Sequence, residues 1–361
     1  MEKKFKIYIV ACACLLIFGV VGLLSINWTE KDHSAVNTPA NGATYTPIPS
    51  SAPTPTPMPS PTPEPDYYPV INLLGGEEIH VFASLGCFEE PGWQAVDTED
   101  GDLSDSVTVQ GEVRLWKTGQ YKIRYSVTDS FGQTAETVRT VIVQPNLLSE
   151  VEIPDEKIVY LTFDDGPGPY TEQLLDTLDR YGVKATFFVT AVKDEYVPLI
   201  AEIAKRGHAV GIHSYSHDYN FVYASEENFF EDFCAMRDVI TAYTGEDPLI
   251  CRLPGGGSNT VSCFNPGIMT AITQDLSNLG IAYFDWNVSA GDTATDFTYN
   301  NAVENLREGI SQHSTAVCLQ HDTNKRSVDA VGEIIVWAQK QGYQFRTLDT
   351  TCYGAHHPVV N

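Results

Sequence analysis

From residue 156 to residue 350 the chain alternates strand-like and helical runs, and no other feature restricts its fold as much. Strand-like runs fall at 159–163, 185–189, 209–213, 250–253, 281–285, 316–320 and 344–348. Between several of them apolar residues recur at helical spacing. Leu174, Leu175, Leu178 and Tyr181 form one stripe, ended by Gly182. Phe229, Phe230, Phe233, Met236, Val239, Ile240 and Tyr243 form a longer one, which Ser225 is placed to cap. Val328, Val331, Ile335 and Ala338 form the last, before Gly342. Repeated βα units with short loops predict a parallel sheet, open or closed into a barrel.

Polar residues gather where those strand runs end. Asp164-Asp165-Gly166 follows the first and His213-Ser214-Tyr215-Ser216-His217 the third. Arg252-Leu253-Pro254-Gly255-Gly256-Gly257 follows the fourth, Asp292 the fifth and His321-Asp322 the sixth. In βα folds the C-terminal strand ends lie on one side, so these clusters are placed to converge on one mouth. Singly each is weak: Asp-Asp-Gly is an ordinary turn, and a His-x-x-x-His pair arises by chance. Arg252 could serve any neighbouring acid, and His321 could be a satisfied core histidine. Jointly they are coherent. His213, His217 and Asp165 suit a three-ligand metal site that leaves a position for water. Asp164 beside them can take that water's proton, and His321 on another strand can protonate a leaving amine. Such a division of labour fits amide hydrolysis. A glycosidase could pair Asp164 with Asp292 across a cleft, but it would have no need of the histidines.

Thr162-Phe163-Asp164-Asp165-Gly166, His213-Ser214-x-x-His217, Arg252-x-Pro254-Gly255, Asp292 and Leu319-x-His321 resemble, in order, the five motifs of the polysaccharide deacetylase family, carbohydrate esterase family four. The resemblance spans about residues 155–350. It implies an α/β fold, a distorted (β/α)7 barrel, and removal of N-acetyl groups from a polysaccharide. It also implies Asp164 as general base, Asp165, His213 and His217 as ligands of one divalent ion, foremost zinc, and His321 as general acid. Arg252 would pair with and orient Asp164, and Asp292 would hold and tune His321. Leu319 would line the acetyl methyl pocket, and the Gly255 backbone N–H would help hold the oxyanion. Two positions depart from the family pattern. Gly255 stands where a bulky aromatic is common, and Ser289-Ala290-Gly291-Asp292-Thr293 replaces Asp-x-x-Asp-Trp. Trp286 is close in sequence but need not take the missing Trp's place. These changes touch pocket walls, and so substrate specificity, rather than the metal or the acid/base pair.

The rest of the chain reads as a delivery system. Residues 1–28 hold Lys3, Lys4 and Lys6 ahead of an apolar run at 7–26, about the length that spans a bilayer. The positive-inside bias then predicts a single-pass anchor in the cell membrane, with everything downstream extracytoplasmic. A cleaved signal peptide is the rival reading, although no small-x-small site follows the run. Residues 29–65 form a Pro/Thr/Ser-rich linker that cannot bury a core and favours extended polyproline II, reaching about 60 Å over roughly twenty residues. Residues 66–149 alternate at period two between Gly and Asp turns, which predicts a small sandwich. With Glu90-Pro91-Gly92-Trp93, Glu99-Asp100-Gly101-Asp102-Leu103, Gly119-Gln120-Tyr121 and Val127-Thr128-Asp129-Ser130-Phe131-Gly132 they resemble the immunoglobulin-like repeats of bacterial surface proteins. The acidic run at 97–105 could bind calcium, though a solvated turn is the plainer reading. Trp93 and Trp116 are expected in the core of this domain. The eight cysteines make no tidy disulfide framework, and buried free thiols account for them as well as bridges do.

A net charge of −25 repels phosphate backbones and argues against a nucleic-acid partner. The expected protein is therefore a membrane-anchored enzyme, its deacetylase domain at 150–361 presented to the wall. The expected partner is an N-acetylated polysaccharide, foremost peptidoglycan, because an anchored enzyme stays beside it. The alternative is a catalytically inactive surface module that binds glycan or protein. An intact base, ligand triad and acid weigh against that alternative. Every proposed catalytic group lies in the βα region, which is thus expected to work on a soluble acetylated oligomer without the β-domain.

Overall fold

The computed structural model describes residues 67–148, 151 and 154–361. The apolar run at 7–26 and the proline-rich linker lie outside the described residues. Among the described residues no helix is long and apolar enough to cross a membrane.

Seven strands form the N-terminal domain: β1 (Val70–Leu73), β2 (Glu78–Phe82), β3 (Trp93–Asp97), β4 (Gly101–Asp102), β5 (Thr108–Gln110), β6 (Gly119–Thr128) and β7 (Thr134–Gln144). One sheet has the order β1-β3-β4 and the other β2-β7-β6-β5. Along β6, Ile123, Tyr125 and Val127 are buried while Lys122 and Arg124 are exposed, the alternation of a sheet with one packed face. Arg139 of β7 is fully buried among them. Its guanidinium donates to the Tyr125 hydroxyl (3.2 Å) and to the carbonyls of Gly76 (2.9 Å) and Gly92 (3.0 Å), and it pairs with Glu90 (2.9 Å). The acidic run is a turn in which Asp100 accepts from the Ser130 N–H and hydroxyl while Asp97 and Asp102 face their own backbone. Asp97 Oδ1 accepts from the N–H groups of Glu99 and Asp100, and Asp102 Oδ1 accepts from that of Ser104. Trp93 packs on Tyr125, with ring centroids 5.4 Å apart, as a core residue should.

The second domain is built from β8 (Ile158–Asp164), α1 (Thr171–Tyr181), β9 (Thr186–Thr190), α2 (Leu199–Lys205), β10 (Ala209–Ser214), α3 (Tyr219–Val222), α4 (Glu226–Thr244) and β11 (Ile250–Cys251). It continues through α5 (Ile268–Asn278), β12 (Ala282–Tyr283), β13 (Val288–Ser289), α6 (Tyr299–Ser311), β14 (Thr315–His321), α7 (Lys325–Lys340) and β15 (Gln344–Phe345). The strands form one parallel sheet in the order β12-β11-β10-β9-β8-β14-β13, with β15 paired to the start of β8. All seven residues of β8 are buried, as in a strand covered on both faces. Each expected strand run is present, and β13 is an eighth, paired with β14, that no strand-like run marks. This is the distorted barrel expected, open between β12 and β13. There the side chain of Asn287 bonds to β14 in place of a further strand, accepting from Val317 N (2.8 Å) and donating to Thr315 O (2.9 Å).

The helix signals hold locally. Gly182, at φ 63°, ends α1, and the Ser225 hydroxyl accepts from Asn228 N to cap α4. None of the six described cysteines is bonded to another.

Trp116 departs from expectation: its ring stacks on Phe230 of α4, with centroids 4.5 Å apart. Around it Arg114 pairs with Glu227 and Lys117 with Glu226. Arg237 Nη1 donates to Leu85 O (2.9 Å), and Asn146 N donates to Asn278 O (2.6 Å) at the end of α5. Ala83, Leu115 and Val143 join the apolar cluster that contains the α/β core. The β-domain is therefore packed against the α/β domain and is not merely strung to it. Burying one Phe-sized side chain stabilises by about 1.5–3 kcal/mol. Residues 150–361 alone should then melt roughly 3–12 °C below residues 64–361. Thermal unfolding of the two fragments checks this, and equal melting temperatures would mean that the junction contributes nothing.

Candidate active site

The C-terminal end of β8 supplies two adjacent carboxylates with different surroundings. Asp164 is buried, and Arg252 holds it from the end of β11. The Arg252 side chain is wholly enclosed. Its Nη1 donates to Asp164 Oδ1 (2.8 Å) and to Thr162 Oγ1 (2.6 Å), its Nε to Phe284 O (2.9 Å), and its Nη2 to Asp285 O (2.9 Å). The guanidinium lies over the Phe188 ring, 4.4 Å from its centroid. Asp165 turns the other way because its backbone is left-handed, with φ 66°.

His213 lies near the end of β10, where the pairing with β9 shifts register between Ile212 and Ser214. Such irregularities re-aim side chains. The His213 Nδ1 bonds to Arg252 O (2.7 Å), so Nδ1 carries the proton and Nε2 is free to act as a ligand. His217 follows one turn later, also left-handed, with φ 51°. Both Nε2 atoms lie 3.3 Å from Asp165 Oδ1, and the three ligand atoms are all within 4.8 Å of one another. Asp165 Oδ1 is buried without a hydrogen-bond partner. Two ring nitrogens and an orphaned carboxylate oxygen facing one point fit a divalent cation. Burial alone would raise the Asp165 pKa. The imidazoles of His213, His321 and His217 outweigh it and hold the carboxyl well below the usual range. Among the described residues this is the one cluster of such side chains with ligand geometry.

On the far side of Asp165 stands His321, the last residue of β14, with Nε2 3.7 Å from Asp165 Oδ2. Asp292 grips it twice, accepting from His321 N (2.8 Å) and bonding Nδ1 (2.8 Å). Burial alone would lower the His321 pKa. The Asp292 carboxylate, with Asp164 and Asp165 nearby, outweighs it and lifts the pKa to about 9.

Leu319 precedes His321 by two residues, hence on the same face of β14, and is buried. Gly255 is exposed at the turn after Arg252, with φ 75°, a conformation that favours glycine. A β-carbon there would stand 3.6 Å from the ring of Tyr219, which itself packs edge-on against His217. Trp286 lies against Gly256, where an added β-carbon would approach its ring to 2.9 Å, and beside His357. It thus backs the Gly255–Gly257 turn. A cleft of about 280 Å³ opens beside Asp165 and His217, lined also by Thr190, Val192 and Lys193.

Two supporting acids escape a reading by motif. Asp285 is wholly buried and accepts from Gly257 N and His357 N, both at 2.7 Å, pinning the glycine turn to the C-terminal segment. Asp322 is wholly buried too, accepts from the Thr171 hydroxyl, and has its pKa lifted by burial to about 7. Its position after His321 was visible in the sequence, but its partners are far along the chain.

The polysaccharide deacetylase family model matches residues 152–265, and the model for the Ig-like domain of bacterial surface proteins matches residues 71–143. A peptidoglycan-N-acetylglucosamine deacetylase of Bacillus cereus is 32% identical over 55% of this chain and 89% of its own length. The peptidoglycan-N-acetylmuramic acid deacetylase PdaC of Bacillus subtilis is 32% identical over 54% of this chain and 38% of its own. Among solved structures, the catalytic domain of a peptidoglycan N-acetylglucosamine deacetylase from Eubacterium rectale is 50% identical. It covers 59% of this chain and 98% of its own, with a TM-score of 0.58.

The glycine after Asp165 gives a direct test of the cluster. A β-carbon on Gly166 would lie 2.2 Å from Asp322 Oδ1 and 2.3 Å from Oδ2, so the buried carboxylate or the loop carrying Asp165 must move. Gly166→Ala should therefore weaken divalent-ion binding, measured by calorimetry, by at least tenfold. Wild-type affinity would mean that the loop shifts without disturbing Asp165.

Proposed function

The chain belongs to the polysaccharide deacetylase family, carbohydrate esterase family four, and we propose that it uses one divalent metal ion, foremost zinc, to remove N-acetyl groups from the amino sugars of peptidoglycan. The observation that carries this reading is the buried Asp164–Arg252 pair set beside the Asp165, His213 and His217 cluster, with His321 across from it. Asp165, His213 and His217 would hold the ion. When bound, it would polarise the amide carbonyl and make water more acidic. Asp164, paired with Arg252, takes the proton from the attacking water. His321, protonated through Asp292, gives a proton to the departing amine. The exposed Gly255 turn offers an N–H to the developing oxyanion, and Leu319 faces the acetyl methyl.

Peptidoglycan is favoured by the substrates named for the relatives in Bacillus and Eubacterium and by the Ig-like surface module upstream. A single-pass anchor at 1–28, with the catalytic domain outside the cell, would keep the enzyme beside that polymer. Mass spectrometry of muropeptides after incubation with the protein tests the activity, and fragmentation places the lost acetyl on glucosamine or muramic acid. Unchanged muropeptides, with loss of acetyl from another acetylated glycan, would remove peptidoglycan as substrate.

Two substitutions test the acid. His321→Ala should lower kcat/KM by roughly 10²–10⁴, and a loss under about threefold would take His321 out of the mechanism. The active form is His321 protonated, so activity falls as pH rises through its pKa. Asp292→Asn removes the carboxylate that holds this proton and lowers that pKa, so the alkaline limb of the kcat/KM profile should move to lower pH. An unmoved limb would assign that ionisation elsewhere.

A further inference from the structure

Asp232 breaks the apolar stripe of α4, between Phe230 and Phe233, and yet it is only 4% exposed. A carboxylate in such a place needs donors, because an unpaired buried charge is strongly disfavoured. It has four, and all come from residues 214–216, between the two histidines. Asp232 Oδ2 accepts from Ser214 Oγ (2.6 Å) and Tyr215 N (2.8 Å). Its Oδ1 accepts from Ser216 N (2.8 Å) and Ser216 Oγ (2.6 Å). Ser214 Oγ passes the restraint on by accepting from His217 N (2.8 Å).

We propose that Asp232 is the positioning residue of the metal site, holding the 214–217 loop in the form that aims both imidazoles at one cation. The left-handed backbone of His217 is unfavourable for a residue with a side chain and persists only where its surroundings impose it. Asp232 supplies that imposition through two backbone N–H groups and two hydroxyls on either side of the turn. Only a carboxylate offers two acceptor atoms in this geometry, since an asparagine presents one oxygen and a donor that would face another donor. Asp232 touches no proposed ligand atom. Its effect is on where Nε2 of His217 lies relative to Nε2 of His213 and Asp165 Oδ1.

This inference rests on Asp165, His213 and His217 being the ligands, and the test separates the two. The full chain, stripped of metal, is titrated with cobalt(II), which reports affinity and, through its visible absorption, ligand geometry. Outer-shell partners of metal ligands are typically worth 10–100-fold in affinity. Asp232→Asn is expected to weaken cobalt binding by about that factor and to alter the visible spectrum, with far-ultraviolet circular dichroism unchanged. Ser216→Ala, at an exposed residue where folding is not at stake, should shift affinity less but in the same direction. A folded Asp232→Asn protein with wild-type affinity and spectrum would overturn the proposal. Should that variant fail to fold, wild-type binding by Ser216→Ala would overturn it instead. Absence of cobalt binding in the unaltered protein would overturn the ligand assignment, and the inference with it.

Discussion

Arg252 is wholly enclosed and Asp164 nearly so, and the domain is organised around keeping them together. Each charge would be costly to enclose alone, and removing one partner of such a pair typically destabilises by about 3–5 kcal/mol. The guanidinium meets this demand through donors to the first strand of the barrel, at Thr162 and Asp164, and to the chain beyond β12, at Phe284 and Asp285. Its own carbonyl fixes the tautomer of His213. One residue thus ties three strand ends and orients the proposed general base and a proposed metal ligand. The family expectation of Arg252 as a partner for Asp164 captures one part of that role.

The acids around this centre differ by their neighbours alone. Asp164 faces a guanidinium, Asp165 faces imidazoles, Asp292 faces one imidazole and its backbone, and the wholly buried Asp322 faces a hydroxyl. In the proposed mechanism the same side chain would therefore serve as base, ligand, proton-holder and loop support. For His321 the balance is between burial, which disfavours its charge, and Asp292, which restores it. The environment, rather than residue type, divides the labour.

Much of this was legible in the sequence because the signals are local. Strand runs ending in Asp164-Asp165, His213-x-x-x-His217 and His321 carry both periodicity and chemistry within a few residues, and the helical stripes with Ser225 and Gly182 mark their own ends. What stayed hidden depends on contacts between distant segments. Strand β13 is hidden because Val288–Ser289 is set by its pairing with the distant β14 and lies in no apolar run of its own. Asp285 and Asp232 are identified by backbone N–H groups, which leave no trace in residue identity. Trp116 looked like any core tryptophan, since nothing in its own segment announces Phe230. For Asp232 a local signal did exist: a lone acid inside a run of phenylalanines on one helical face.

Helix α4 is gripped on two sides, by the β-domain through Trp116 on Phe230 and by the histidine loop through Asp232. The two residues that take these contacts are two positions apart on one rigid rod. Whatever pulls on the chain ahead of residue 67 therefore moves the β-domain and the catalytic mouth as one body. The mouth then meets a substrate at an attitude set by the β-domain, which serves as a handle fixed to the blade.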